Sequence, residues 1–258
     1  NLTVNTQPVM LACSLAFFRA YQAAGGPLPS YFAGHSLGEY TALVAAGALE
    51  ESEAVQLVRF RAQAMQQAVP PGLGTMAAIL GLEGEKVDGL CKAVSKPGAV
   101  VEAVNFNSDD QTVIAGHTEA VRLACDELKQ AGAKRALALP VSAPFHSSLL
   151  EPAVHQLRER LTGIHFKPQA CPVWHNLTGL PMQASESLVE LLSKQAMSPV
   201  RWVQTIRGLA HEGVTHFVEC GPGKVLTGLT KKIAPSVQAL SINDEQSLQT
   251  TLESLKAV

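Results

Sequence analysis

A serine stands between two glycines in Gly34-His35-Ser36-Leu37-Gly38, inside the stretch "FAGHSLGEYTALVAAGAL" from Phe32 to Leu49. A short apolar run precedes it and a helix-like run follows. Gly-x-Ser-x-Gly at a strand-to-helix junction is the pattern of a nucleophile elbow. The demand is steric: the serine is held in a strained turn, and the glycines let neighbouring backbone pass close. Its hydroxyl then stands at a helix N-terminus, where the backbone N–H of Leu37 can stabilise a developing oxyanion. A serine is also a common helix N-cap. The pentapeptide alone leaves both readings open, and the strand-before, helix-after context favours the nucleophile.

A serine nucleophile needs a base, usually histidine. The chain has eight: His35, His117, His146, His155, His165, His175, His211 and His216. None forms HExxH or another metal-ligand spacing, so no metal is expected. His155 lies in a helix full of charges and reads as solvated. His216 opens a strand and reads as structural. His35 belongs to the elbow, but adjacent side chains point in different directions. His146 follows Ser142-Ala143-Pro144-Phe145, where Pro144 forbids helix, and it sits at the mouth of the next helix. There the chain leaves an inserted unit, so His146 can face a cleft between two subdomains.

Arg61 is out of place. In "SEAVQLVRFRAQAMQQAV" an apolar stripe of Ala54, Val58, Met65 and Val69 is flanked by Leu57, Ala62 and Ala68. Arg61 falls inside that stripe, and Arg59 does not. On helix position alone, a snorkelling side chain or an internal salt bridge is the commoner outcome. The alternative is a planar fork that grips a substrate carboxylate bidentately.

The elements that must position these residues follow from the pattern. Asn1–Val9 reads as a loop entering a helix. Pro8 opens a helical pattern that Gly25-Gly26 stops. Tyr31–Ala33 is a strand, Leu37–Gly47 a buried helix that is small and apolar, and Glu51–Val69 a second helix ended by Pro70-Pro71-Gly72. Thr75–Leu80, Glu83–Val94, Ala99–Phe106, Gln111–Ala115, Thr118–Ala131 and Lys134–Leu139 then run β-α-β-β-α-β, a ferredoxin-like unit. Ser148–Thr162 is helical. Strands at Val173–Leu177, His216–Glu219 and Ala239–Ile242 alternate with helices near Ser187–Lys194 and Trp202–His211, which predicts a parallel sheet covered on both faces. The fold class is therefore α/β. Its large subdomain comprises 1–71 and 141–258, with the ferredoxin-like unit at 72–140.

Composition narrows the function. The chain has 258 residues, 47% hydrophobic and 16% charged, enough for a full core without staples. A net charge of −2 gives no global field for nucleic acid. The five cysteines are odd in number and form no CxxC pair, which excludes a disulfide framework and a zinc motif and fits free thiols in a reducing cytoplasm. The longest apolar runs are too short to span a bilayer, and no signal peptide is visible.

Taken together, the chain resembles the malonyl-CoA:acyl carrier protein transacylases of bacterial fatty acid synthesis, from Thr6 to about Asn243. The matching stretches are Thr6-Gln7-Pro8, "AGHSLGEYTALVAAGAL", "RFRAQAMQQAVP", "VNFNS", "VIAGHTEAV", "AGAKRALALPVSAPFH", "SPVRW" and "GPGKVLTGLTKKI". The resemblance implies an α/β-hydrolase-like domain with a ferredoxin-like insertion. It implies Ser36 as the acylated serine, His146 as the catalytic histidine and Arg61 as the holder of the malonyl carboxylate. It places Gln7 in the acyl pocket and makes the backbone carbonyl of Gln195 the orienter of the histidine, replacing a triad acid. His35 stands behind these groups. Phe145 and Leu37 fit a preference for malonyl over methylmalonyl.

The implied substrates are malonyl-CoA and the phosphopantetheinyl thiol of acyl carrier protein, with no further cofactor. The implied setting is a cytoplasmic monomer without nucleic-acid or membrane partners. Lys224, Lys231, Lys232, Lys134 and Arg135 are candidate charges for an acidic carrier. One departure is expected. The family's N-terminal strand and GQGSQ loop, which supplies a second oxyanion donor, are not found, so the chain reads as starting several dozen residues late. A serine hydrolase remains the runner-up. It requires an acid between the serine and the histidine in sequence and an apolar pocket in place of Arg61. A carrier-docking module without turnover is the non-enzymic alternative.

Overall fold

The computed structural model describes residues 3–141 and 143–256. Asn1, Leu2 and Ser142, which the sequence placed in the entering loop and in the spacer before His146, lie outside the described residues. The first helix, α1 (Thr3–Ala23), starts five residues before Pro8. A mid-helix proline costs a hydrogen bond. Here the extra turn is anchored because Gln7 and Leu11 are buried on its inner face. Strand β1 (Phe32–Ala33) leads into α2 (Leu37–Ala45), and α3 is Glu51–Gln67. These helices pack Leu11, Leu15, Tyr40, Leu43, Leu57 and Met65 into the main core.

The inserted unit has β2 (Gly74–Leu80), α4 (Gly84–Val94), β3 (Val101–Ser108), β4 (Gln111–His117), α5 (Thr118–Gln130) and β5 (Arg135–Ala138). All its strand pairs are antiparallel, in the order β3-β4-β2-β5. The period of two sorts its faces. Ala77, Ile79, Ala103 and Ile114 face α4 and α5. Met76, Ala78, Val113 and Ala115 face the other way, with Val141 and Phe145 packed against them. The second face therefore abuts the segment that carries His146. The edge strand β3 is also tied to the larger body: Val200 N–H donates to the Val104 carbonyl at 2.9 Å, and Phe106 N–H to the Val200 carbonyl at 3.0 Å.

After the insert come a 3-10 turn (Ser148–Leu150), α6 (Glu151–Thr162), β6 (Val173–Trp174), α7 (Leu188–Gln195), α8 (Trp202–His211), β7 (His216–Cys220), α9 (Val225–Ile233), β8 (Gln238–Ile242) and α10 (Glu245–Leu255). The class is α/β as expected, with the parallel pairing in two ladders, β1 with β6 and β7 with β8, rather than one continuous sheet. β6 stops short of Leu177 because the backbone beyond Trp174 is engaged elsewhere. His175 N–H donates to the Leu180 carbonyl, and Asn176 N–H to Glu39. The helices α9 and α10 were not expected. The start of α10 is a capping box in which Asp244 accepts from Ser247 N–H at 2.7 Å, and serine at that third position hides the usual Glu/Gln signature. No helix among the described residues is long and apolar enough to cross a membrane.

Candidate active site

Two non-glycine residues among those described have positive φ: Ser36 at 52° and His146 at 67°. Such backbone costs on the order of 1–3 kcal/mol per residue and persists only where its surroundings over-determine it. At Ser36 they do. Its N–H donates to Asn176 Oδ1 at 2.6 Å, and its carbonyl accepts from Gln195 Nε2 at 3.0 Å and from Glu39 N–H at 3.1 Å. Asn176 Nδ2 also donates to the Gly34 carbonyl at 2.7 Å, so one amide bridges the elbow. A Cβ on Gly34 would lie 1.9 Å from the Gly38 carbonyl carbon, whereas one on Gly38 would meet open space. The close approach expected of both glycines is required of Gly34 alone. Leu37 opens α2, so its N–H is among the donors a helix leaves without an internal partner.

The turn at His146 is fixed from three sides. His146 N–H donates to the Ala196 carbonyl at 3.1 Å, Ser147 closes back on the Pro144 carbonyl, and Ser148 N–H donates to Glu102 Oε2 at 2.6 Å. The ring is 2.9 Å from the Gln195 carbonyl through Nδ1 and 2.8 Å from Ser36 Oγ through Nε2. A carbonyl only accepts, so Nδ1 carries the proton and Nε2 receives the serine O–H. Burial, and secondarily the Arg61 cation, push the imidazole pKa down to about 3. It is therefore neutral near neutral pH.

Arg61 neither snorkels nor forms a salt bridge. It is 1% exposed and points at the serine. Nη1 donates to Gln7 Oε1 at 2.8 Å, and Nη2 donates to Ser36 Oγ at 3.1 Å and to Gln195 Oε1 at 2.8 Å. The Tyr40 ring lies 5.3 Å beneath the guanidinium carbon. Nε is buried without a partner. The site thus holds a buried cation whose direct partners are neutral oxygens and one aromatic face.

The structure brings together Ser36, His146, Arg61, Gln7 and Gln195. Gln195 acts through its side chain as well as through the expected carbonyl. Leu37 and Phe145 are half-buried beside them, and Phe145 packs against both the main core and the sheet of the insert. His35 turns away from Ser36: its Nε2 is 2.8 Å from Asn107 Oδ1, and its ring stands edge-on to Trp202 at 5.6 Å. A cleft of about 460 Å³ between the insert and the larger body is lined by Val101, Glu102, Phe106, His146, Met197 and Arg201. Sequence reasoning missed Asn176, Glu39, Asn107 and Glu102. Glu39 was hidden in a helix read as small and apolar, yet a glutamate there is itself a signal of a buried polar role. Among the described residues no group of three His, Cys, Asp or Glu side chains could hold a metal. Of the cysteines only Cys91 is fully buried.

An oriented neutral imidazole bonded to a hydroxyl on a strained turn is the geometry of serine-based acyl transfer. The comparisons with known proteins place the chain in that class. The family model of the acyl transferase domain matches residues 1–249, and the chain belongs to this family. It is 45% identical over 253 residues to the malonyl CoA-acyl carrier protein transacylase of Escherichia coli K12, covering 98% of this chain and 82% of that one. It is 54% identical to the crystal structure of the acyl-carrier-protein S-malonyltransferase of Burkholderia pseudomallei 1710b, with a TM-score of 0.95 over 98% of this chain and 82% of the other. A third relative is a malonyl-transacylase solved with its type II polyketide acyl-carrier protein. It is 47% identical at a TM-score of 0.95, again over 98% of this chain and 82% of the other.

Proposed function

We propose that this protein transfers a malonyl group from malonyl-CoA to the phosphopantetheine thiol of an acyl carrier protein through an ester on Ser36. One observation carries the reading: a buried arginine, with Nε unpartnered, bonded directly to the oxygen that would be acylated. A plain esterase has no use for a buried cation there. A malonyl ester carries a free carboxylate that fits it.

In the first half-reaction the Ser36 proton passes to His146 Nε2 as Oγ attacks the thioester carbonyl. The Gln195 carbonyl holds the imidazolium through Nδ1–H, and the Leu37 N–H stabilises the oxyanion. Collapse breaks the carbon–sulfur bond, and CoA leaves with the proton returned by His146. In the second half the carrier thiol gives its proton to His146 and its sulfur attacks the ester carbonyl; the bond from the acyl carbon to Ser36 Oγ then breaks, and His146 returns the proton to Oγ. The malonyl carboxylate on Arg61 offsets one of the three causes that depress the His146 pKa, which are burial, Arg61 and His35, making the base stronger in the loaded enzyme.

The same reading divides the chain at 71/72 and 140/141, with the two substrates entering through the cleft between the parts. Phe145 and Leu37 crowd an α-methyl group. The protein then works as a cytoplasmic monomer with no cofactor beyond its substrates and no nucleic-acid or membrane partner. Incubation with malonyl-CoA, with and without a holo carrier protein, tests it. Malonyl-carrier formed in step with free CoA is the expected result, and steady hydrolysis with no transfer would sink the proposal.

A further inference from the structure

Beside the Ser36–His146 dyad lies a buried carboxylate that takes no part in the acyl-transfer steps. Glu39 lies three residues beyond Ser36 in the first turn of α2 and is 0% exposed. Its Oε1 is 2.7 Å from His175 Nδ1, and its Oε2 accepts from Asn176 N–H at 2.9 Å and from Gln195 Nε2 at 2.8 Å. Oε2 thus accepts from two N–H donors, as a carboxylate oxygen can. Arg61, the buried cation of the site, touches no carboxylate, and a buried cation with no anion nearby is strongly disfavoured. The two charges are joined through one side chain: Gln195 Oε1 accepts from Arg61 and Gln195 Nε2 donates to Glu39.

We infer that Glu39 is a positioning and specificity residue, the resident counter-anion of Arg61, set one amide away so that the guanidinium keeps donors for a substrate carboxylate. The inference rests on the malonyl-transfer reading. The donor arithmetic supports it. A guanidinium has five N–H donors, and its contacts to Gln7, Ser36 and Gln195 use three. A carboxylate in direct contact would take the fork bidentately and compete with substrate. The interposed amide balances the charge without filling the fork, and the unpartnered Nε remains. The pair is then close to neutral before substrate arrives. A malonyl carboxylate adds one anion to a site that already holds one, so the ester is gripped but not trapped. Glu39 also holds Asn176 and Gln195, the two side chains that brace the elbow.

The variant Glu39→Gln removes the charge, keeps the shape and one acceptor oxygen for Asn176 N–H and Gln195 Nε2, and turns its amide N–H2 toward His175 Nδ1, which accepts in the other imidazole tautomer. Initial rates with malonyl-CoA and acetyl-CoA, each transferred to holo carrier protein, give the readout. The account predicts that KM for malonyl-CoA falls about tenfold, and kcat for malonyl transfer falls by a similar factor as the ester is held harder. It predicts that both constants for acetyl stay within about threefold of wild type. A purely structural role moves the two acyl groups together and does not lower KM, so parallel losses, or an unchanged malonyl KM, overturn the inference. If the glutamine variant does not fold by circular dichroism, Glu39→Asp takes its place. It retains the charge, so the malonyl-to-acetyl ratio must stay within about threefold of wild type, and a tenfold shift overturns the inference. A wild-type protein that forms no malonyl ester overturns the functional reading and this inference with it.

Discussion

Arg61→Ala removes the proposed carboxylate clamp while leaving Ser36, His146 and the Gln195 carbonyl in place. Two guanidinium donors are free for a carboxylate, and a hydrogen bond to a charged group contributes about 1.5–3 kcal/mol. Malonyl transfer should therefore lose about 3–6 kcal/mol of stabilisation, roughly 100- to 10,000-fold in kcat/KM. Both acyl groups also lose the 3.1 Å bond from Nη2 to Ser36 Oγ, worth about 1.5–3 kcal/mol, roughly 10- to 100-fold, and for acetyl that is the whole loss. The malonyl-to-acetyl ratio should fall at least about tenfold. The truncation also strands the Oε1 atoms of Gln7 and Gln195 and removes the charge over Tyr40. Stability should drop by a few kcal/mol, with Tm lower by about 5–10 °C. Single-turnover acylation with each thioester, followed by intact mass at a temperature where the variant is folded, separates these effects. Arg61→Lys keeps the charge but not the fork and should fall between wild type and alanine. A malonyl-to-acetyl ratio within about threefold of wild type for Arg61→Ala would refute the clamp, whatever the absolute rates.

Three further outcomes follow from the same geometry. Gly34→Ala forces a methyl into the Gly38 carbonyl and should abolish Ser36 acylation while circular dichroism still reports a folded protein; a wild-type acylation rate would contradict the elbow geometry. The folded-state pKa of His146 lies below the ordinary value of 6.5, at about 3, and that of His35 is lowered in the same direction. Between those limits the unfolded chain binds protons that the folded chain does not. Stability is then fully present above about pH 6.5 and lost on acidification, by up to about 1.4 kcal/mol per pH unit per histidine. Denaturant titrations from pH 7 to 4 check this, and flat stability across that range would contradict the buried neutral imidazole. Phe145→Ser should raise methylmalonyl transfer relative to malonyl by about 10-fold or more, the usual worth of a methylene-sized fit in a pocket; an unchanged ratio of the two rates would clear Phe145 of that role.

The four-stranded antiparallel sheet was legible because its β-rich runs are bounded by turn signals of Gly, Pro and Asp-Asp. The elbow was legible because a strained serine needs glycine where backbone passes close, though only Gly34 meets that need. Arg61 could be singled out as anomalous on its helix, but not aimed, since aim depends on Gln7, Tyr40 and Gln195, which approach from other elements. Asn176 and Glu39 stayed invisible for the same reason: each is an ordinary polar residue locally, and its role is written in contacts more than 130 positions apart. The short parallel strands were overestimated because a β-rich run does not reveal that His175 and Asn176 bond to the elbow and its loop rather than to a ladder.

The central claim is that Ser36 carries the malonyl group. Brief incubation of the protein with malonyl-CoA, acid quench, intact mass and peptide mapping test it most directly. The account predicts one malonyl adduct, confined to the peptide containing Ser36, absent from Ser36→Ala and discharged by holo carrier protein. An adduct that persists in Ser36→Ala, or the absence of any adduct while malonyl still reaches the carrier, would contradict it.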